Sequence, residues 1–342
     1  VNKFPHHRIL AINRGERAGT LKVKLEYDEA AVLQAACERL IPADHPHADF
    51  LKTCVEDALS RLIIPSLERE IRRDMTQQAD RHAVEVFANN LRNLLLQPPM
   101  RNCRVLAIDP GFKRGCSVAV IDAEGKFIAS DHLFVVGNLQ RREESRQKLA
   151  KLVTEHHVDM IAIGNGAACG DAERMVSDCI GELLADHPVR YVMVNEAGAS
   201  IYSTSETGRE ELPELTPAVR SAVSIGRRLQ DPLSELVKIS PANIGVGMYQ
   251  HDVRANHLSQ SLDEVVEFCV NQVGVNLNAA SPSLLRYVSG LNALTARRIY
   301  EHRQQIGKFT SRQQLLDVPG IGEATFVQAA GFLRIHDVYC SI

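Results

Sequence analysis

Val105-Leu-Ala-Ile-Asp109-Pro-Gly111-Phe-Lys-Arg-Gly-Cys116-Ser-Val-Ala-Val-Ile121 decides the reading of this chain. Val105 to Ile108 is a short apolar run, as expected of a strand buried on both faces. Asp109 ends it, Pro110-Gly111 turns the chain, and Ser117 to Ile121 begins a second apolar run. A carboxylate at the end of a buried strand is placed to face a metal or a phosphate, since an unpartnered buried charge is costly. Turn chemistry alone also puts Asp before Pro-Gly. The surroundings of Asp109 must therefore decide its role.

Working outward, Arg104 to Gln230 reads strand, strand, strand, helix, strand, helix, strand, helix. The strands are expected at 104–108, 116–121, 128–134, 160–163 and 189–194, and the helices at about 143–157, 171–186 and 217–230. Three strands joined by short turns, then alternating strand and helix, is the order of the RNase H-like fold. Asp122-Ala-Glu-Gly125 suits the tight turn that the first pair needs. Ala197 to Glu214, rich in Ser, Thr, Glu and Gly, reads as a long, partly ordered loop.

Upstream, Arg8–Asn13 reads as a strand. Leu21, Val23, Leu25 and Tyr27 alternate with charged residues as a second one, with Gly15 and Gly19 making a hairpin between them. Helices follow at about 29–40 and 48–63. Pro65 then opens a long helix as a first-turn proline, with Leu67, Ile71, Met75, Ala79, Val86, Leu91, Leu94 and Leu95 as its stripe. Gln97-Pro-Pro99 ends it. At the standard rise it would span roughly 45 Å, the length of a strut.

Downstream, Asp231-Pro232 and Ser240-Pro241 each combine an N-cap with a first-turn proline, and 261–274 reads as an amphipathic helix. From Ser281 the chain repeats itself. Val288-Ser-Gly290-Leu-Asn292 and Val318-Pro-Gly320-Ile-Gly322 are two helix-hairpin-helix turns, whose glycines let backbone N–H groups meet phosphate. Asn292 tolerates the left-handed conformation, and Gly322 adopts it more easily. Ala293 and Glu323 leave the hairpins without an adjacent basic residue. Arg297, Arg298, Arg303 and Lys308 supply part of that charge.

The chain has 342 residues, 45% hydrophobic and 24% charged, which suits a soluble protein of two or three domains. Its net charge of -3 means that nucleic-acid binding must come from local patches. The eight Cys lack C-x-x-C spacing and read as reduced thiols in a cytoplasmic protein. No run is long enough to span a membrane. The chain opens on Val1 and enters its first expected strand almost at once, which points to a piece of a longer protein. His6-His7, His45/His47 and His156-His157 lack partners at metal spacing, so no metal site is expected from them. Asp109-x-Gly111 also resembles the first phosphate loop of actin-like ATPases and sugar kinases, but those proteins duplicate the fold and no second Asp-x-Gly strand appears. Gly164-Asn-Gly166-Ala-Ala-Cys-Gly170 misses dinucleotide spacing by one.

With these pieces in this order, the chain resembles the central part of a Tex-family transcription accessory protein. The resemblance rests on His7-Arg-Ile-Leu-Ala-Ile-Asn-Arg-Gly15, Leu106-Ala-Ile-Asp-Pro-Gly111, Val194-Asn-Glu-Ala-Gly-Ala-Ser-Ile-Tyr-Ser203, Arg228–Ile239, Ile244–Val253 and the paired hairpins. It implies a multidomain α/β plus all-α chain. The expected parts are an N-terminal hairpin and helical region over 1–100 ending in the linker helix, a YqgF-type RNase H-like domain over 101–238, a helical connector over 239–280 and a tandem helix-hairpin-helix domain over 281–337. It also implies a helix-turn-helix region before residue 1 and an S1-type RNA-binding domain after the hairpins.

Active nucleases of this fold hold two metal ions with several carboxylates. Asp109 fits the first-strand position, Glu196 the one after the last strand, and Asp231 is a third candidate that capping also explains. In the related Holliday-junction resolvases the fourth strand carries a Glu, where this chain has Ile163-Gly-Asn-Gly166. YqgF-like nucleases commonly continue Asp-Glu-Arg, where this chain has Asn195-Glu-Ala197. The resemblance therefore implies a nucleic-acid-binding accessory factor of transcription or RNA metabolism, without cofactor, whose RNase H-like domain is a non-catalytic platform. Its binding residues would be Gly290, Asn292, Arg297, Arg298, Lys308, Gly320 and Gly322, and its partners RNA or DNA backbones and the transcription machinery. The alternatives are a Mg²⁺-dependent structure-selective nuclease using Asp109, Glu196 and Asp231, or a purely structural module.

Overall fold

The structure is a computed structural model and describes residues 4–111 and 115–335. The last two residues of the expected 281–337 domain lie outside the described residues. The chain forms two compact units, one of residues 1–87 and 247–258, the other of 88–246 and 259–342.

The sheet belongs to the second unit. β1 (Val105–Asp109), β2 (Cys116–Ile121), β3 (Phe127–Leu133), β4 (Met160–Gly164) and β5 (Arg190–Val194) lie in the order β3-β2-β1-β4-β5. β1 is antiparallel to β2 and parallel to β4, and β4 is parallel to β5. Val105 to Ile108 are fully buried because successive side chains leave opposite faces of a strand and both faces are covered. Leu106, Ile108, Val118 and Val120 join one core with residues of α5 (Leu139–Glu155) and α6 (Cys169–Glu182). Val105, Ala107, Ala119 and Ile121 join the other, with α9 (Pro217–Gln230). This second face is lined by small residues, so α9 comes in close. A Cβ on Gly226 would lie 2.9 Å from Ile121 Cδ1 and 3.1 Å from Ala107 Cβ.

The 197–214 stretch is not a loose loop. It folds as α7 (Ala199–Thr204) and α8 (Glu206–Glu211), with Tyr202 fully buried. Its polar composition is consumed internally: Ser205 caps α8, Tyr202 Oη donates to Glu211 Oε2, and Arg220 donates to the carbonyls of Ser203, Leu212 and Pro213. Glu211 also receives Arg227 and Lys238, each at 2.8 Å.

Further along this unit, α10 (Pro232–Leu236) and a 3₁₀ turn (Pro241–Asn243) start at the two expected Pro sites. α11 begins earlier than expected, at Ala255, and ends at Val273. The hairpin region is bracketed by a short parallel pair, β6 (Val275–Asn276) with β7 (Leu333–Arg334). Between them lie α12 (Pro282–Leu285), α13 (Ala293–Ile306), a 3₁₀ turn (Arg312–Asp317) and α14 (Glu323–Ala329).

In the first unit the expected β-hairpin does not form. Arg8–Asn13 lies inside a helix, α1 (His6–Arg17), burying Ile9 and Leu10. Its polar face is tied to the long helix by Asn13 to Thr76 at 3.0 Å and by Arg72 to Glu16. Residues 21–28 carry the alternation but no strand. A strand needs a hydrogen-bonded neighbour, and among the described residues of this unit there is none. Gly15 is a packing site instead, with Leu21 Cγ 2.9 Å from where a Cβ would stand. α2 (Glu29–Leu40) is where expected.

Pro65 does not open a helix. α3 (Ala48–Ala58) passes through a π-helical turn, Leu59–Ile63, directly into α4 (Ile64–Leu95). Proline lacks the N–H and its ring clashes with the carbonyl four residues back. A widened turn just before it absorbs both faults. Along α4 the residues Ala79, Leu91 and Leu95 are buried as the stripe required, whereas Leu67, Ile71 and Val86 are exposed.

Candidate functional site

Asp109 stands at the C-terminal end of β1, and Glu196 just past the end of β5, with β4 between them. β4 ends in Gly164-Asn165-Gly166, and that is what lets the two carboxylates approach. A Cβ on Gly164 would collide with Glu196 Oε2 and lie 2.9 Å from Pro110 Cδ. A Cβ on Gly166 would lie 2.6 Å from Glu196 Cδ. Neither glycine has a positive φ, so the requirement is for space, not for backbone freedom. The Glu196 carboxylate thus occupies the room that a side chain on the fourth strand would need. The loop is held in register by Glu196 N donating to Asn165 Oδ1 at 3.1 Å and Asn165 N to Val194 O at 3.0 Å.

α9 presents Ser221, Ser224 and Arg228 on one helix face, at i, i+3 and i+7. All three are buried, Arg228 to 4% exposure. Ser221 hydrogen-bonds Asp109. Arg228 Nη1 donates to Asn195 O at 2.7 Å and Ala197 O at 2.8 Å, gripping the backbone on either side of Glu196. Its Nε and Nη2, Ser224 Oγ and Glu196 Oε2 are buried without a protein partner.

Burial raises the Asp109 carboxyl above its ordinary range, against the pull of the Ser221 hydrogen bond and the Arg228 charge. Burial, then the Asp109 charge, raises Glu196, with the Gly166 N–H and Arg228 opposing. Burial is the larger cause for both, and both carboxyls hold their protons more tightly than free carboxylates do. Arg228 is lowered by burial, offset by Glu235, Glu196 and Asp109. Glu235 has its own cation in Lys238, at 2.8 Å.

Asp231 is engaged elsewhere. Its Oδ1 accepts from Ser234 N and its Oδ2 from Ser234 Oγ, capping α10. The donor set therefore does not fit a two-metal centre. Two carboxylates converge with an arginine, and among the described residues no group of three or more His, Cys, Asp or Glu could hold a metal ion. The histidine pairs do not supply one either.

The two hairpins share one geometry. Gly290 and Gly320 have φ of +86° and +89°, and each turn closes by a hydrogen bond, Leu291 N to Val288 O and Ile321 N to Val318 O. The glycines face one another's motif: a Cβ on Gly290 would meet Gln328 Cβ at 2.7 Å, and one on Gly320 would collide with Arg298 Nη1. Asn292 and Gly322, expected in the left-handed region, are extended, with φ of -130° and -97°. They are N-cap positions. Asn292 Oδ1 accepts from Leu294 N and Thr295 N in a capping box, whereas no side chain caps α14 at Gly322.

The basic residues divide. Arg297 pairs with Glu301, Arg298 donates to Pro319 O, and Lys308 is exposed. Arg303 is buried and donates to Leu277 O and Ala280 O, so its charge is not on the surface. Arg228, Ser221 and Ser224 were not legible as site residues. The signal was a polar stripe at helical spacing on the buried side of α9.

Family models match along most of the chain: a Tex central region-like model over residues 1–87, a Tex protein YqgF-like domain over 103–230, and a helix-hairpin-helix motif over 270–334. The chain belongs to the Tex family. It is 43% identical over 345 residues to the transcriptional accessory protein Tex of Neisseria gonorrhoeae, covering 98% of this chain and 44% of that protein. It is 44% identical over 349 residues to the protein tex of Bordetella pertussis (strain Tohama I / ATCC BAA-589 / NCTC 13251), with 98% and 44% coverage. It is 42% identical over 348 residues to S1 RNA-binding domain-containing protein 1 of Homo sapiens, with 99% and 35% coverage. A Thermus thermophilus RuvC structure matches 36% of this chain and 90% of its own, at 16% identity and a TM-score of 0.27. The chain spans less than half the length of these curated relatives. Among the described residues no helix is long and apolar enough to cross a membrane.

Proposed function

We propose that this chain is the nucleic-acid-binding body of a cytoplasmic transcription accessory factor that engages the transcription machinery. Its paired hairpins meet the phosphate backbone of RNA or DNA, and its RNase H-like domain is a non-catalytic platform. The observation that carries the reading is the pair of exposed turns at Gly290 and Gly320, each in the left-handed region at the start of a helix. Main-chain N–H groups aimed at phosphate position a nucleic acid without reading its bases. Arg297, Arg298 and Lys308 add local positive charge to a chain of net charge -3. Names of relatives support the reading: one is a transcriptional accessory protein, another an S1 RNA-binding domain-containing protein.

The non-catalytic part rests on Asp231 serving as a cap and on Arg228 standing beside the two remaining carboxylates. The test is binding to single-stranded RNA, single-stranded DNA and duplex across a salt series, with cleavage followed in Mg²⁺ and Mn²⁺. Binding of all three with a steep salt slope and no cleavage is expected. Cleavage that disappears in Asp109→Asn would replace this reading with a metal-dependent nuclease using Asp109, Glu196 and a third donor. No binding at any salt would leave a structural module.

A further inference from the structure

We propose that Arg228 stands in the electrostatic place of the metal ions that active enzymes of this fold hold, so that the Asp109–Glu196 pair is closed to divalent cations. Three observations carry this. Arg228 is 4% exposed, and a guanidinium remains charged at any physiological pH. Its Nη1 is fixed by the carbonyls of Asn195 and Ala197, the residues flanking Glu196, so it cannot withdraw without releasing the loop that carries that carboxylate. Its Nε and Nη2 have no protein partner, and neither does Glu196 Oε2. A buried cation and a buried anion with spare hydrogen-bonding capacity thus share one cluster.

The rest of the cluster leaves a divalent ion little to hold. The Glu196 carboxylate lies against Gly164 and Gly166, filling the fourth-strand position, and Asp231 is engaged with Ser234. A divalent ion entering beside Asp109 would have two carboxylates for ligands and a fixed positive charge close by. In a poorly solvated site that repulsion is not screened away. The glycines and the arginine belong together: Gly164 and Gly166 admit the Glu196 carboxylate, and Arg228 neutralises what has been admitted.

This inference rests on the non-catalytic reading of the same site, and the two fail separately. The readouts are the free Mn²⁺ signal in electron paramagnetic resonance and the melting temperature with and without Mn²⁺, on the whole chain. Wild type should take up no Mn²⁺ that Asp109→Asn releases. Arg228→Met should melt lower, regain temperature in Mn²⁺ and take up one equivalent of Mn²⁺, and the added Asp109→Asn should abolish that gain. Asp109-dependent Mn²⁺ uptake by wild type would overturn the inference even if no nucleic acid were cut. A folded Arg228→Met protein indifferent to Mn²⁺ would overturn it too. If Arg228→Met does not fold, wild type against Asp109→Asn decides: equal Mn²⁺ uptake upholds the closed site, and unequal uptake overturns it.

Discussion

Gly164→Ala tests how the two carboxylates are brought together. The new methyl group would collide with Glu196 Oε2 and sit 2.9 Å from Pro110 Cδ and 3.1 Å from Ile225 Cδ1. Gly164 is buried at the end of β4, so relief must come from the half-buried Glu196 side chain swinging away and from Pro110 and Ile225 giving way. Overpacking of this kind costs about 1–3 kcal/mol. Pushing Glu196 aside also loses its hydrogen bond from the Gly166 N–H, and a bond to a charged group is worth about 1.5–3 kcal/mol. The two losses overlap, so a total of about 2–4 kcal/mol is expected. Glu196→Ala removes the obstacle. In that background Gly164→Ala should cost only about 1 kcal/mol, for the crowding against Pro110 and Ile225. The coupling energy is therefore more than about 1 kcal/mol, well beyond the scatter of independent sites.

Hydrogen exchange of the Leu106 and Ile163 amides is the assay. It reports the unit that holds the sheet, whereas a chain of two compact units need not melt in one step. Wild-type protection in Gly164→Ala, or two substitutions whose costs simply add, would refute the packing of Glu196 on the β4 glycines.

Met75→Pro, inside α4, should destabilise the first unit by about 3 kcal/mol or more, and unchanged exchange of its helical amides would show that the helix is broken there already. Burial alone would raise the Glu211 carboxyl, but Lys238, Arg227 and Tyr202 more than reverse this and lower it. A lowered folded-state value stabilises above the ordinary Glu range and is lost as pH falls through the folded one. Acid melts of wild type should accordingly be steeper than those of Glu211→Gln, which should cost about 3 kcal/mol near neutrality because it takes the ion-pair partner from the partly buried Arg227, while Lys238 keeps Glu235; parallel pH profiles would dismiss the network. Gly320→Val, checked for folding, forces a β-branched residue to φ +89° and should weaken binding to every nucleic acid alike, with a salt slope shallower by roughly one for each phosphate that the hairpin no longer engages. Unchanged affinity and slope would make the hairpins packing elements.

Where the sequence was legible, one physical signal dominated. The five strands of the sheet were readable because β1 and β4 are uninterrupted apolar runs, a pattern that burial on both faces requires, and because Gly125, with φ of +79°, marks the turn between β2 and β3. The N-terminal hairpin was misread because alternation reports a half-buried extended chain whether or not a partner strand exists. Leu25 N finds Glu68 Oε1 instead of a neighbouring carbonyl. The 197–214 stretch was misread for the opposite reason. Its Ser and Thr side chains bond within the stretch, but Glu211 and the carbonyls of Ser203, Leu212 and Pro213 are met by Arg227, Lys238 and Arg220, which lie later in the chain, so composition could not show that they would be satisfied by folding.

The same distinction runs through the site. Asp109 could be picked out because it closes an apolar strand, and Glu196 because the family resemblance implies a carboxylate just after the last strand. Their relation to Gly164, Gly166 and Arg228 could not, because it depends on how closely β4 lets the ends of its neighbours approach. A glycine in a strand reads as a weakness; here it is the space in which a carboxylate lies. Taken singly, Gly164 is only a strand end without a carboxylate. With Glu196 lying against Gly164 and Gly166 and Arg228 holding the backbone on both sides of it, the two glycines, the carboxylate and the buried arginine form a single arrangement. Each part would be destabilising without the others: an isolated buried carboxylate pair repels, an isolated buried guanidinium is undersolvated, and a side chain at position 164 has no room. That mutual dependence is why restoring a carboxylate at position 164 alone should not create a metal centre, but should displace Glu196 and weaken the sheet edge.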